Sequence, residues 1–233
     1  MSPNNLSVIY YGWLTSDSSG IPNHLATAIA AARPQALIAV FYTLQPRFMN
    51  LSPQVRDLLH SAGTRIYAYT PLGYSARDHR EVQSDVAHYL ENGADGIFFD
   101  EADSSIDRGK EPYYKQLYEQ VKQRGQTMIL NTGVADTSEA LMSVTDILMV
   151  EHQWRRFAQT CGWRARYGPD RFMGNSSNEP GALQHLYYPI SHATGVRDTR
   201  AAWANGIGWH YSTDRYTDLP PWFADYTRAI RAR

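Results

Sequence analysis

The stretch Gly93-Ala94-Asp95-Gly96-Ile97-Phe98-Phe99-Asp100-Glu101-Ala102-Asp103 decides how the rest of the chain is interpreted. Its apolar run Ile97-Phe98-Phe99 is typical of a strand that is covered on both faces. Acids follow that strand at once, and a buried carboxylate costs on the order of several kcal/mol unless it has a partner or a purpose. One acid could cap the helix that begins further on, because acids are favoured at helix N-termini. The cluster exceeds that need, so the stretch predicts that at least one of its acids is catalytic.

The same order of strand and helix repeats along the chain, with a period of roughly 30 residues in the first five units. Strands are predicted at Val8–Trp13, Ala36–Tyr42, Arg65–Thr70, Ile97–Phe99, Thr127–Asn131, Asp146–Glu151, Arg171–Ser176 and Ile207–Thr213. Helices are predicted at Pro22–Ala32, Ser52–Gly63, Asp78–Gly93, Glu111–Arg124 and Thr137–Met142, and from Pro220 onward. Alternating units imply a parallel sheet with right-handed crossovers. About eight units in 233 residues favour a closed (β/α)8 TIM barrel of the α/β class, with residues 1–233 as a single domain.

The composition argues against several classes of partner. The 22 basic and 23 acidic residues leave a net charge of -1, which gives no support for nucleic acid or an anionic membrane as a partner. No apolar run approaches the ~20 residues of a membrane span, and no signal peptide is visible at the N-terminus. Cys161 is the only cysteine, so an internal disulfide framework and a thiolate metal cluster are ruled out. No G-x-G-x-x-G follows the first strand, and no cofactor is predicted.

The candidate catalytic residues lie at two predicted strand ends. In a barrel of this kind the active site is built at the C-terminal ends of the strands. Asp100 and Glu101 end the fourth strand, and Glu151 ends the sixth. Strands two apart lie roughly 10 Å apart, from twice the usual interstrand spacing, so inward carboxylates could approach the separations that glycosidases use. Alternatively, Glu151 forms a salt bridge with Arg155 or Arg156.

Other polar and aromatic residues near predicted strand ends are candidates to bind substrate. Tyr69 and Asn131 both qualify, and Asn131 is the best ligand for sugar hydroxyls or for a carboxylate. His152 and His210 could be acid–base groups, metal ligands or satisfied rim residues, but no H-x-H or H-E-x-x-H spacing supports a metal. The candidates for stacking on sugar rings, any of which could instead belong to the core, are Tyr11, Trp13, Trp154 and Trp209.

Several of these motifs match one known family. They are Tyr67-Ala68-Tyr69-Thr70, Gly96-Ile97-Phe98-Phe99-Asp100-Glu101, Leu130-Asn131-Thr132-Gly133, Val150-Glu151 and Thr213-Asp214. Together they resemble the spherulin 4-like proteins, also called spherulation-specific family 4. The resemblance implies an extracellular (β/α)8 glycoside hydrolase of family 135 that cuts polymers of α-1,4-linked N-acetylgalactosamine and galactosamine. It also implies that the family's Asp-Glu pair falls on Asp100 and Glu101, and its second glutamate on Glu151.

We therefore expect a monomeric, endo-acting glycosidase with a polysaccharide substrate. Asp100 would be the nucleophile or transition-state stabiliser, Glu151 the general acid/base, and Glu101 would tune the pair or hold the substrate. A retaining mechanism is expected, with the carboxyl groups about 5–5.5 Å apart. A partly deacetylated galactosamine polymer is cationic, so we expect an acidic mouth on the barrel. The acids expected there are Asp100, Glu101, Asp103, Glu151 and Asp214.

The sequence leaves two alternatives and one gap. The alternatives are a non-catalytic glycan-binding barrel and a lyase or aldolase on the same scaffold; a Schiff-base version of the latter lacks a lysine at a strand end. The gap concerns the loops, because Gly73-Tyr74 reverses the family's Tyr-Gly turn and residues 155–205 match poorly. Since loops shape the cleft, the sequence leaves the exact glycan open.

Overall fold

A computed structural model describes residues 4–39, 51–106, 109–177 and 190–232 of the chain. Eight parallel strands form a closed barrel in which each strand pairs with the next along the chain and β8 pairs with β1. The strands are β1 (Asn5–Tyr10), β2 (Ala36–Ala39), β3 (Arg65–Pro71), β4 (Gly96–Asp100), β5 (Thr127–Asn131), β6 (Ile147–Met149), β7 (Phe172–Ser177) and β8 (Trp209–Thr213). The predicted (β/α)8 TIM barrel is therefore confirmed.

Seven α-helices occur in the described residues and connect the strands. They are α1 (His24–Ala32), α2 (Pro53–Ser61), α3 (His79–Glu91), α4 (Glu111–Gln123), α5 (Trp154–Thr160), α6 (His192–Ala204) and α7 (Phe223–Arg231). Side chains of Asn23, Ser52, Asp78 and Ser191 accept a backbone N–H from the first turn of α1, α2, α3 and α6, which fixes where these helices begin. In this part of the chain, no helix combines the length and hydropathy that a membrane-spanning segment needs.

Two predicted strand boundaries are wrong. The first strand ends at Tyr10 because the backbone N–H of Tyr11 donates to the carbonyl of Tyr216, at 2.5 Å, and not to a neighbouring strand. The sixth strand ends at Met149, and Glu151 opens a short 3-10 turn beyond it. Residues 40–42 of the predicted second strand lie outside the described residues.

Helix α6 was not predicted at all. Its buried face carries Gly195, Asp198 and Thr199 beside Ala202 and Trp203, so it lacks the apolar periodicity by which amphipathic helices are recognised. The predicted helix at Thr137–Met142 is a 3-10 helix at Glu139–Ser143.

Alternation along the strands separates the inside of the barrel from the layer beneath the helices. Phe99 packs in a cluster with apolar residues of α3 and α4. Phe98 and Ile129 pack in a second cluster, with residues of strands across the barrel. Asp100 follows Phe98 by two residues and Asn131 follows Ile129 by two, so both polar side chains continue the inward face to the C-terminal end of the barrel. The fold therefore places the side chains of Asp100 and Asn131 at the C-terminal mouth of the barrel.

Candidate active site

The amide of Asn131 joins two carboxylates at the C-terminal mouth. Its Nδ2 donates to Asp100 Oδ1 and to Glu151 Oε1, each at 2.7 Å, so these two oxygens lie at most 5.4 Å apart. Asn131 Oδ1 accepts the backbone N–H of Gly133 at 3.0 Å, which fixes the amide so that its two N–H groups face the acids. The structure therefore brings Asp100 and Glu151 together from β4 and from the end of β6.

Neutral donors hold Asp100 in place. The Tyr69 hydroxyl donates to Oδ2 at 2.9 Å, and the backbone N–H of Glu101 donates to Oδ1 at 2.9 Å. With the bond from Asn131, three donors converge on this carboxylate. None of the ion pairs found among the described residues involves Asp100. The carboxylate is thus oriented without being neutralised by a cation.

Glu101 and Glu151 both have left-handed backbones, with φ of 53° and 46°. A non-glycine residue in this region costs on the order of 1–3 kcal/mol, and such strain gathers at functional sites, where the surrounding structure imposes it. The backbone carbonyl of Glu101 accepts the N–H of Tyr74 at 2.7 Å. Glu101 directly follows Asp100, the last residue of β4, and Glu151 follows Met149, the last residue of β6, by two positions. The left-handed backbones thus occur where the chain leaves the barrel.

The acids other than Asp100 and Glu151 have different surroundings. Glu101 is exposed, next to the bridged pair but outside the Asn131 bridge. Asp103 forms an ion pair with Lys110, and Asp214 forms one with Arg215 at 3.2 Å. Both cations offset negative charge at the mouth, so the expected acidic field is weaker than the count of acids suggests.

Burial and hydrogen bonds also shift the pKa of Asp103. Burial alone would raise that pKa, but hydrogen bonds from Lys110, Ser75 and Tyr114, together with the Lys110 charge, lower it overall. Asp103 therefore acts as a structural carboxylate that ties the segments after β3 and β4 to the start of α4.

The two histidines near predicted strand ends, His152 and His210, lie in different surroundings. Nδ1 of His152, an exposed residue, lies 3.7 Å from Glu151 Oε2, so this histidine borders the site. His210 lies beneath the helices, where its ring contacts the Thr199 hydroxyl at 2.9 Å. Burial, with a smaller effect of the Arg155 charge, lowers the pKa of His210 to about 3. His210 is a neutral residue of the core, not an acid–base group at the rim.

The aromatic candidates separate into two groups. Trp13 is 55% exposed beyond the end of β1, and Tyr11 is half-buried beside it. Trp154 is only 1% exposed, and its indole N–H donates to Ser176. Trp209 begins β8 opposite Asn5, at the end of the barrel away from the carboxylates. The predictions that Trp154 and Trp209 stack on sugars are therefore wrong in this structure, because one is core and the other is at the opposite end.

The predicted alternative for Glu151, a salt bridge to Arg155 or Arg156, is also wrong. Arg155 pairs with Asp198 and Arg156 with Asp136, both at 2.7 Å. No group of His, Cys, Asp and Glu side chains within the described ranges has an arrangement that could hold a metal ion.

Sequence reasoning missed three residues at this mouth. Tyr74 is 59% exposed with a φ of 54°, and its N–H bond to Glu101 holds it beside the acids. Asn175 lies near the end of β7 and bonds to Tyr216, which follows β8. The reversed Gly73-Tyr74 pair was a visible signal for the first. Asn175 and Tyr216 belong to no spacing pattern.

A closed (β/α)8 barrel with paired carboxylates at its C-terminal mouth has the features of carbohydrate-active TIM barrels. The chain belongs to spherulation-specific family 4, whose family model matches residues 43–230. This confirms the family that the sequence motifs resemble. No curated protein sequence is significantly similar to the chain.

Solved structures share the fold at low sequence identity. Sph3 from Aspergillus clavatus, solved in complex with GalNAc, is 16% identical with a TM-score of 0.71, covering 98% of this chain and 97% of that one. A chitinase from Chromobacterium violaceum is 13% identical with a TM-score of 0.63, over 98% and 100% of the two chains. An endo-β-N-acetylglucosaminidase from Cordyceps militaris is 10% identical with a TM-score of 0.63, over 100% and 92%. These likenesses show the fold.

Proposed function

We propose that the protein is a retaining, endo-acting glycosidase that cleaves α-1,4-linked galactosamine or N-acetylgalactosamine chains. The observation that carries this proposal is the pair of hydrogen bonds from the Asn131 amide. Each is 2.7 Å long, so the bonded oxygens of Asp100 and Glu151 lie at most 5.4 Å apart. Retaining glycosidases place their carboxyl groups about 5–5.5 Å apart, whereas inverting enzymes need ~6.5–9.5 Å to admit a water.

In this mechanism Asp100 attacks the anomeric carbon while Glu151 donates a proton to the departing glycosidic oxygen. The C–O bond to the leaving sugar breaks as the bond to Asp100 forms. Glu151, now ionised, then takes a proton from water, and the resulting hydroxide attacks the anomeric carbon and releases Asp100. Tyr69 and Asn131 keep the Asp100 oxygens directed through both steps.

The substrate class rests on the family and on the surroundings of the pair. Sph3 was solved with GalNAc, and the family resemblance implies galactosamine polymers. Exposed aromatic rings at the mouth, Trp13 and Tyr74, offer faces for sugar stacking. Glu101 lies exposed next to the pair and is placed to attract an ammonium group of a deacetylated sugar.

Product analysis on purified polysaccharides tests the proposal. The protein is incubated with α-1,4-galactosamine polymers of defined acetylation and with neutral β-glucans, and new reducing ends are counted. Proton NMR of the first-formed anomer then reports the stereochemistry, which we expect to be retained; the Glu151→Gln variant serves as the blank.

Any other result contradicts a specific part of the proposed function. An inverted anomer refutes the retaining mechanism, and cleavage of neutral β-glucans alone refutes the substrate. Product with an unsaturated ring and no uptake of water indicates a lyase. Binding of the polymer without any turnover indicates a non-catalytic glycan-binding barrel.

A further inference from the structure

Asn175 carries a buried polar atom that has no hydrogen-bond partner among the described residues. Its residue is only 2% exposed, and its Nδ2 donates to the Tyr216 hydroxyl at 2.7 Å. Its carbonyl oxygen, Oδ1, has no hydrogen-bond partner in the part of the chain that the structure describes. A buried acceptor left unsatisfied costs about 1–3 kcal/mol, so each case calls for an explanation.

The position of Asn175 is next to Glu151. Met149 of β6 pairs with Met173 of β7, and both pack in the same apolar cluster as Phe98 and Ile129. Two residues further along, the same alternation brings Asn175 to the inward face of β7, beside Glu151 at the end of β6. The two segments run close together there, since the backbone carbonyl of Glu151 lies 3.3 Å from where a Cβ of Gly174, the residue before Asn175, would be.

The chain after β8 holds Asn175 rigidly. The Tyr216 ring stacks on Tyr11, with centroids 4.7 Å apart and planes inclined by 24°. The Tyr11 N–H also donates to the Tyr216 carbonyl, at 2.5 Å. Gly12 permits this approach, because a Cβ there would lie 2.7 Å from the Thr217 carbonyl. The amide of Asn175 is therefore oriented by a platform that reaches from β7 to the end of β1.

We propose that Asn175, Tyr216 and Tyr11 form a sugar subsite beside the carboxylate pair, in which Asn175 Oδ1 accepts an N–H from an amino sugar. The proposal rests on the proposed function for the substrate class. An acetamido or ammonium N–H can only donate, so it matches an acceptor that the protein leaves unsatisfied. A site built around such an acceptor rejects analogues that lack the donor, because their binding leaves the acceptor buried and unpaired.

Binding of monosaccharides tests the subsite without any turnover. Affinities of N-acetylgalactosamine, galactosamine and 2-deoxygalactose, which has no hydrogen-bond donor at C2, are measured by NMR titration on the full chain. The wild type should prefer both amino sugars to 2-deoxygalactose. Asn175→Ala should weaken amino-sugar binding about 10-fold and bring the preference close to one, since a lost hydrogen bond of ~1.4 kcal/mol is tenfold. Asn92→Ala, on the exposed end of α3, is the matched control.

A second variant separates recognition from folding. Asn175→Asp keeps an acceptor at the same place and adds a charge, so it should retain amino-sugar binding and favour galactosamine over N-acetylgalactosamine. Unchanged amino-sugar affinity in Asn175→Ala overturns the proposal, and so does an equal loss in Asn175→Ala and Asn175→Asp. Failure of the subsite can be distinguished from failure of the proposed function: a subsite that fails leaves polymer cleavage intact, and a protein that never cleaves polymer can still show the sugar preference.

Discussion

Asp100 and Asp103 stand in the same short segment, yet the protein surrounds them in opposite ways. Asp100 accepts hydrogen bonds from a tyrosine hydroxyl, a side-chain amide and a backbone N–H. Asp103 accepts from the hydroxyls of Ser75 and Tyr114 and forms an ion pair with Lys110. The first set contains only neutral donors, and the second includes a cation.

The difference separates a carboxylate that can react from one that supports the fold. A lysine beside a carboxylate stabilises its charged form, and this, with burial opposing it, lowers the pKa of Asp103. Neutral donors fix the direction of a carboxylate without cancelling its charge. An acid that must attack a sugar or receive a proton needs direction without neutralisation, and Asp100 has that environment.

The largest expected effect comes from removing the charge at the paired acids. Asp100→Asn and Glu151→Gln should each lower kcat on a galactosamine polymer by on the order of 10³-fold or more, because in the proposed mechanism each removes a group that acts on the reacting bond. Both variants should stay folded, since an amide can still accept from Asn131. Asp103→Asn is the matched control and should keep turnover within a few-fold. Comparable activity loss in Asp103→Asn would erase the distinction between the two aspartates.

A smaller effect is expected when Asn131, whose amide bonds to both acids, is replaced by a charged residue. Asn131→Asp removes the N–H groups that join the pair and adds a third carboxylate between them. We expect kcat to fall by about 10- to 100-fold and the pH–rate profile to move to higher pH, because an added negative charge favours protonated acids. Steady-state rates between pH 4 and 9 measure this. A profile that moves to lower pH would contradict it; Asn92→Asp controls for the added charge.

The smallest effect concerns stability at Asp103. Because its pKa in the folded protein is lowered below the usual 3.8, its charged form stabilises the fold above that pH and loses this effect as the pH falls through the folded value. Asp103→Asn should therefore reduce the free energy of unfolding at pH 7 by about 1–3 kcal/mol.

Urea unfolding at pH 7 and pH 3 checks this sign. The difference between the wild type and Asp103→Asn should shrink at pH 3, because that pH lies below the usual pKa of 3.8 and proton uptake by the unfolded chain then favours unfolding of the wild type. Asp57→Asn removes an exposed ion pair with Arg56 and should change stability by less than about 1 kcal/mol. If Asp103→Asn loses the same free energy of unfolding at both pH values, the charge of Asp103 is not the source of its stabilising effect.

Most of the fold was predictable because local sequence specifies it. The run Ile97–Phe99 is β4, and the glycine that follows α3, Gly93, has the expected positive φ of 90°. Prediction failed where structure depends on distant partners. The buried face of α6 consists of small and polar residues, and two of them bond to distant parts of the chain, Thr199 to Tyr226 and Asp198 to Arg155.

The candidate site was predictable to the same extent. Acids at two strand ends and Asn131 between them could be read from the sequence, because strand ends in a barrel converge. Whether a tryptophan near a strand end faces sugar or core depends on the packing of the next helix, which is why Trp154 was misassigned. Asn175 and Tyr216 meet only through barrel closure and the approach of the chain after β8 to β1, and no local pattern reports this.

The left-handed backbones of Glu101 and Glu151 also bear on how the protein tolerates sequence change. Glycine adopts such a conformation without a steric penalty, and asparagine more readily than glutamate. A library randomised at these two positions and selected only for folded, soluble protein should thus fill with glycine and asparagine. The same library selected for growth on a polymer that must be degraded should return acids. The composition at two positions would then distinguish selection for folding from selection for catalysis.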